Sequence, residues 1–188
     1  MDAIKLLLER ASAIKVRDPG PTQEELDIIL ASSLRAPDHG RLRPWHFIVI
    51  SGEGRARFGT LLADALKVRA PDATREMLDR EERKALRAPV IIVVVARIRA
   101  NANIPNVEQI VSAGAAAEHI MLAVQALGYG AMWRTGAPAY DDRVKEGLGI
   151  GTRDAIIGMI YIGTPAVAQQ ESSALHLGDF VTRWQGEY

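Results

Sequence analysis

Seven consecutive apolar residues near the middle of the chain constrain its fold more than any other feature. Residues 90–96 read Val-Ile-Ile-Val-Val-Val-Ala and directly follow Pro89. Because successive side chains of a strand point to opposite faces of a sheet, an uninterrupted β-branched run predicts a strand that is buried on both faces. We therefore expect residues 90–96 to form a central strand.

Apolar residues elsewhere in the chain follow helical or strand spacing. Thr22 and Glu25 form a Thr-x-x-Glu capping box, which predicts the start of a second helix that carries the chain to Arg35. Strands that alternate with helices, without strict β-α-β order, predict an α+β fold: one domain over residues 1–188 with a mixed β-sheet covered by helices. The other predicted helices cover residues 2–10, 56–68, 73–86 and 107–127, and the predicted strands cover residues 45–50, 90–96, 131–134 and 154–162.

Composition excludes several classes of function. Lys plus Arg and Asp plus Glu each number 23, so no net charge attracts nucleic acid or an anionic membrane. The chain has no cysteine, so any redox chemistry must come from a cofactor, and its four histidines lack metal-binding spacing. No signal peptide, membrane span, phosphate loop or nucleophile elbow is visible, which predicts a cytoplasmic protein without a metal site.

Polar residues gather at the ends of three predicted elements. These segments are Arg10-Ala11-Ser12, Arg35-Ala-Pro-Asp-His39 and Trp133-Arg134-Thr135-Gly136. Pro37 is expected to stop the second helix, and Pro44 to keep Arg43 extended before the next strand. Guanidinium, hydroxyl and indole groups together suit a bound anion that carries a large flat ring.

Each of these residues also has a purely structural interpretation. Arg10 suits a helix C-terminus, where its charge complements the helix dipole, and the serine two residues later suits a turn. Asp38 is able to pair with Arg35 or His39 and cap their loop. Trp133 is equally compatible with packing in the core.

In order and spacing, these segments resemble the FMN-dependent nitroreductases, in particular a short, single-domain branch of that family. The resemblance spans nearly the whole chain and is carried by residues 1–12, 35–39, Pro44-Trp45-His46-Phe47, Ser112-Ala113-Gly114, residues 133–136 and Tyr161-Ile-Gly-Thr-Pro165. It implies an obligate dimer with three α/β/α layers. The family usually has two arginines before the serine, so Ala11 removes a cationic contact that Lys15 could supply.

The resemblance also implies the cofactors and their sites. The FMN contacts that it implies are Arg10, Ala11, Ser12, Arg35, His39, Trp133, Arg134 and Thr135. Its implied NADPH or NADH contacts are Ala123, Val124, Gln125, Ala126, Leu127 and Gly128, a segment that also reads as a plain helix end. The implied reaction takes a hydride from NAD(P)H through flavin N5 to a nitroaromatic or quinone, and no side chain is expected to act as acid, base or nucleophile.

The resemblance further implies a homodimer in which a C-terminal arm, residues 166–188, packs on the partner. Small residues at 112–117 fit a dimer interface, although ordinary packing within the chain explains them equally. The charged segment 73–86 matches a variable lid over the flavin; its structural interpretation, a solvated helix with i,i+4 ion pairs, is preferred.

Two other functions fit the same residues. A flavoenzyme of the same superfamily with another reaction, such as a desaturase, dehalogenase or flavin-degrading oxygenase, would keep the flavin site. A non-enzymatic module that binds flavin or another protein would keep the fold but not react with reduced nicotinamide.

Overall fold

A five-stranded sheet forms the centre of the structure, a computed structural model that describes residues 2–100, 102–167 and 175–186. Strand β3 lies between β2 and β5, and β4 borders the opposite edge of β5. The short β1 pairs with the last two residues of β5. The strands are β1 (Val16–Arg17), β2 (Trp45–Ser51), β3 (Val90–Ala96), β4 (Gly130–Arg134) and β5 (Ala155–Pro165).

The prediction of a central buried strand is confirmed. Every residue of β3 is buried, and none is more than 6% exposed. The expected α+β class is also confirmed, but the sheet is not mixed, because all the described strand pairs are antiparallel. Strand direction depends on where each connection returns to the sheet, and local sequence patterns do not specify that.

Helices cover both faces of the sheet and produce the expected three layers. One apolar cluster joins the sheet to α2 and α5, and a second joins its other face to α3 and α6. None of the described helices has both the length and the apolar character that a bilayer span requires. The helices are α1 (Ala3–Glu9), α2 (Gln23–Ser33), α3 (Gly54–Arg69), α4 (Arg75–Glu82), α5 (Asn106–Ala126) and α6 (Asp142–Gly147), with 3-10 turns at His39–Arg41, Arg83–Leu86, Ala137–Tyr140 and Leu177–Asp179.

The capping box forms as predicted and fixes the start of α2. The Thr22 hydroxyl accepts a hydrogen bond from the N–H of Glu25 at 3.2 Å, and the Glu25 carboxylate accepts one from the N–H of Thr22 at 2.8 Å. Such a box satisfies two backbone donors that a helix N-terminus otherwise leaves without partners. It thereby sets the position of Ser33, after which the chain turns toward Arg35.

Helix α5 is the longest element and packs its small residues inward. Ser112, Ala113, Ala116 and Ala117 are buried within the chain, so ordinary packing explains the small-residue run. The small side chains let α5 lie close to the sheet and to α2. The apolar surface that α5 leaves exposed is instead at its N-terminal end, at Val107 (62% exposed), Ile110 (39%) and Val111 (65%).

Candidate functional site

The loop 10–12, between α1 and β1, is held in place by α5. The side-chain oxygen of Gln125 accepts a hydrogen bond from the N–H of Ala11 at 3.2 Å. The amide nitrogen of the same side chain donates to the carbonyl oxygen of Glu9 at 3.2 Å. One glutamine therefore fixes the backbone on both sides of Arg10.

The chain that follows the loop is tied to β4. The N–H of Ala13 donates to the carbonyl oxygen of Ala131 at 2.8 Å. A Cβ atom at Gly130 would lie 2.9 Å from that of Ala13, so the glycine allows this close approach. Ser12 thus lies between Ala11 and Ala13, whose backbone N–H groups are both hydrogen-bonded. Its exposed side chain makes no hydrogen bond to any residue that the structure describes.

Arg10 is the cation of the loop, and it already has a protein partner. Its Nε lies 3.1 Å from Oε1 of Glu118 on α5, and its side chain is 31% exposed. Arg10 therefore has a structural role, docking the end of α1 on α5 through Glu118, which differs from the interaction with the helix dipole that was predicted. A ligand phosphate at this loop would be bound beside the Glu118 carboxylate. The repulsion between these two negative groups would offset part of the attraction between the phosphate and Arg10.

His39 lies at the other end of α5. Its Nδ1 is 2.6 Å from Oε2 of Glu108, and both side chains are exposed. These two residues border a cavity of about 300 Å³, which is completed by Pro37, Asp38, Val107, Val111, Ser112 and Ala115. His39 is therefore next to the exposed apolar end of α5.

Asp38 caps the loop but pairs with neither Arg35 nor His39. Its carboxylate accepts a hydrogen bond from the N–H of Arg43 at 2.7 Å. Arg43 has a φ of 49°, so the expectation of an extended residue before Pro44 is wrong; the Asp38 hydrogen bond helps to hold this left-handed conformation. Arg35 is exposed, and within the described part of the chain its side chain forms no ion pair.

A second cavity, of about 430 Å³, lies at the end of β4 on the face of the sheet that α3 covers. Arg134 and Thr135, two of the FMN contacts that the resemblance implies, border it, and Lys84 and Arg87 border it from the segment before β3. Arg87 and Arg134 form no salt bridge with a described residue, whereas Lys84 lies 2.6 Å from the buried Glu81 carboxylate. The cavity, here called the basic pocket, is lined by Leu62, Lys84, Arg87, Trp133, Arg134, Thr135, Gly136, Ala137, Pro138, Met159 and Tyr161.

Three polar residues of the basic pocket were not predicted from the sequence: Lys84, Arg87 and Tyr161. Burial raises the pKa of the Tyr161 hydroxyl, and the guanidiniums of Arg87 and Arg134 lower that pKa in part. The hydroxyl is therefore protonated at neutral pH and able to donate a hydrogen bond. The available signal was position: the two cations lie within the six residues before the central strand, and Tyr161 lies in the segment that carries the resemblance.

The indole of Trp133 serves the core. It packs in the apolar cluster between the sheet and α5, and its Nε1–H donates to the carbonyl oxygen of Ile157 at 3.3 Å. Gly158 leaves the space that the indole occupies, since a Cβ there would overlap the ring. The structural interpretation of Trp133 as a packing residue thus has direct support, and Trp133 also borders the basic pocket.

The segment 123–128 is the end of α5, and it is partly turned toward the protein, since Val124 is buried while Ala126 and Gly128 are exposed. Val124 is fully buried, Leu127 caps α5, and Gly128 follows with a φ of 86°. The Gln125 side chain is engaged with the loop 10–12. A role for this segment in binding NAD(P)H remains a prediction.

The predicted site residues fall into two groups within one chain. The loop 10–12 and the basic pocket lie along β4, since Ala13 pairs with Ala131 at the start of the strand and Thr135 follows its end. His39 contacts Glu108, ten residues before Glu118 on α5, and ten residues span about 15 Å of helix. Within the described residues, no group of three His, Asp or Glu side chains is arranged to hold a metal ion.

Comparison with known proteins decides the family. A sequence model of the nitroreductase family matches residues 8–164. The chain belongs to the nitroreductase family. This confirms the resemblance seen in the sequence, and with it the expected class of enzyme, an oxidoreductase.

Individual relatives agree with this membership over almost the full length. "Putative NAD(P)H nitroreductase YdjA" of Escherichia coli K12 is 40% identical over 185 residues, which are 97% of this chain and 99% of that protein. A nitroreductase-like protein from Bacillus cereus has the same fold, with a TM-score of 0.85 at 21% identity over 99% of this chain and 97% of that one. A protein from Desulfovibrio desulfuricans that was solved in complex with FMN matches with a TM-score of 0.74 at 24% identity, over 98% and 97% of the two chains.

Proposed function

We propose that this nitroreductase is an FMN-dependent enzyme that uses NADPH or NADH to reduce a small oxidant such as a nitroaromatic compound or a quinone. The observation that carries the proposal is the fixed loop 10–12, which lies along the same strand, β4, as a basic pocket. The name of the YdjA relative supports NAD(P)H as the reductant, and the FMN complex of the Desulfovibrio protein supports the flavin.

The residues of this chain fit the parts of FMN. Arg10 and the Ser12 hydroxyl are donors for a phosphate. Ala131 and Thr135 are four residues apart on and after β4, so the Thr135 end of the basic pocket lies about 13 Å along the strand from the point where the loop is anchored, a separation suited to a phosphate joined to a ring by a flexible chain. When bound, FMN supplies the redox chemistry, because its N5 accepts a hydride and the electron pair then passes to the oxidant.

The basic pocket suits the part of the flavin that becomes negative on reduction. Arg87 and Arg134 lack carboxylate partners in the described chain, and positive charge near the ring favours an added electron pair. The Tyr161 hydroxyl remains protonated and can donate a hydrogen bond. We assign these residues to binding and electrostatic tuning, and no residue to general acid or base catalysis.

His39 lies beside α5, about 15 Å along that helix from Glu118, whereas the basic pocket lies on the opposite face of the sheet, which α3 covers. If both contact FMN, as the family resemblance implies, His39 comes from a second chain. We therefore propose a homodimer with two shared sites, in which the cavity beside Glu108 faces the partner. Exposed apolar residues at the N-terminal end of α5 support an interface there.

The C-terminal segment supports the same dimer. Leu175 is 76% exposed, and Phe180 and Trp184 are each 71% exposed. The hydrogen bonds of this segment, among the residues described, are internal to it. We propose that residues 175–186 pack on the partner subunit as the expected arm; the remainder of the arm, 168–174 and 187–188, lies outside the described residues.

Steady-state kinetics test the proposed reaction. Because NAD(P)H and the oxidant are proposed to enter one pocket in turn, double-reciprocal plots at several oxidant concentrations should give parallel lines. The assay varies NADPH against a nitroaromatic compound and is repeated with NADH and with a quinone. Converging lines would show that both substrates are bound together and would contradict the shared pocket, and absence of turnover with every pair would contradict the proposed reaction.

A further inference from the structure

We propose that Gln125 is a positioning residue for the phosphate of FMN and not a contact to the nicotinamide nucleotide. The inference rests on the proposed function, since it takes the loop 10–12 as the phosphate site. It assigns to one residue of the segment 123–128 a role that differs from the one implied by the family resemblance.

The Gln125 side chain holds the backbone at two points, one on each side of Arg10. Its carboxamide uses both ends: the oxygen accepts from the N–H of Ala11 and the nitrogen donates to the carbonyl of Glu9, each at 3.2 Å. The Glu9 carbonyl belongs to the last turn of α1, where helix carbonyls lack partners within the helix. The glutamine thus joins the end of α1 to the loop that contains Arg10.

A second contact on the same face of α5 acts at the same place. Glu118 and Gln125 are seven residues apart, which is nearly two helical turns, so the two side chains lie on one face about 10 Å apart. Glu118 pairs with Arg10 while Gln125 holds the backbone around it. Helix α5 therefore fixes both the side chain and the main chain of the loop.

The contacts of Gln125 leave it poorly placed to serve the nicotinamide nucleotide. Both polar atoms of the side chain are already hydrogen-bonded to the protein, and the preceding Val124 is fully buried. A nucleotide that bound the carboxamide would have to replace these bonds. The loss of Gln125 should therefore weaken binding at the phosphate site.

Flavins with and without a phosphate distinguish the two roles. In Gln125→Leu, which keeps the volume and loses both hydrogen bonds, the Kd for FMN should rise about tenfold, as expected for one to two net hydrogen bonds. The Kd for riboflavin, which lacks the phosphate, should change little. The preference for FMN over riboflavin should therefore fall, while the KM for NADPH at saturating FMN stays unchanged. Binding is measured by flavin fluorescence titration of the apoprotein.

Two further variants make the result decisive. Gln23→Leu removes an exposed glutamine of α2 and should leave the preference unchanged. Gln125→Asn, which is one methylene too short to reach both partners, should repeat the fall in preference and decides the outcome if the leucine variant does not fold. A folded variant that keeps the wild-type preference overturns the inference, and a raised KM for NADPH would then return Gln125 to the nucleotide site. If the wild-type protein binds no FMN, the proposed function fails and the inference fails with it.

Discussion

Arg10→Ala is expected to weaken FMN binding by about 1.5–3 kcal/mol, the range for a charge-assisted hydrogen bond, which is roughly a 10- to 150-fold rise in Kd. The Arg10 guanidinium is the cation of the fixed loop, and its partner Glu118 would be left beside the phosphate without compensation. The Kd is measured by titrating the apoprotein with FMN.

The matched control is Lys5→Ala, which removes an exposed cation of α1, the helix that precedes Arg10. Lys5 forms a surface pair with Glu9 at 3.9 Å, and such pairs contribute little to stability. FMN binding by this variant should be close to that of the wild type. An unchanged Kd in Arg10→Ala would leave Arg10 with its structural role alone, as the residue that docks α1 on α5.

Deleting residues 180–188 is expected to dissociate the proposed dimer and release the flavin together. Phe180 and Trp184 are each 71% exposed within the chain, and full burial of such a side chain contributes about 1.5–3 kcal/mol. Losing both should raise the dimer dissociation constant by at least about a hundredfold. Because the flavin site is proposed to be shared, FMN retention should fall with the dimer. Light scattering over a range of protein concentrations, with flavin absorbance recorded alongside, measures both.

Deleting only residues 185–188 provides the control, since it keeps Phe180, Val181 and Trp184. That protein should remain dimeric and retain its flavin. A wild-type chain that is monomeric, loaded with FMN and active at low micromolar concentration would contradict the shared site. A truncated protein that is monomeric but retains all of its flavin would show that flavin binding does not require the arm. That result would contradict the proposed coupling between dimer and flavin site.

The elements that could be predicted from sequence are those whose patterns are local. The β-branched run at 90–96 and the capping box of Thr22 and Glu25 specify their own conformations, and both form as expected. Strand β1 was not predicted, because two residues carry no periodicity and their pairing depends on β5. The direction of the strands was missed for a related reason, since it is decided by the packing of whole connections.

The candidate site was predictable only where a residue is adjacent to a recognisable segment. Arg134 and Thr135, which were predicted to contact the flavin, border a pocket, but Lys84 reaches it from a charged run whose pattern indicates a solvated face, and Arg87 reaches it from just beyond that run. The pairing of His39 with Glu108 joins positions 69 residues apart. Contacts of this kind arise from the packing of α5 against distant loops, and no local spacing encodes them.

The central claim is that this chain binds FMN and that NAD(P)H reduces it there. An anaerobic absorbance spectrum of the purified protein, supplied with FMN if necessary and recorded before and after NADPH or NADH is added, tests it most directly. The account predicts a yellow protein whose visible flavin band is lost on adding the nicotinamide and returns when a nitroaromatic compound or a quinone follows. A protein that binds no FMN at micromolar concentration would contradict the account, and so would a bound flavin that neither NADPH nor NADH reduces.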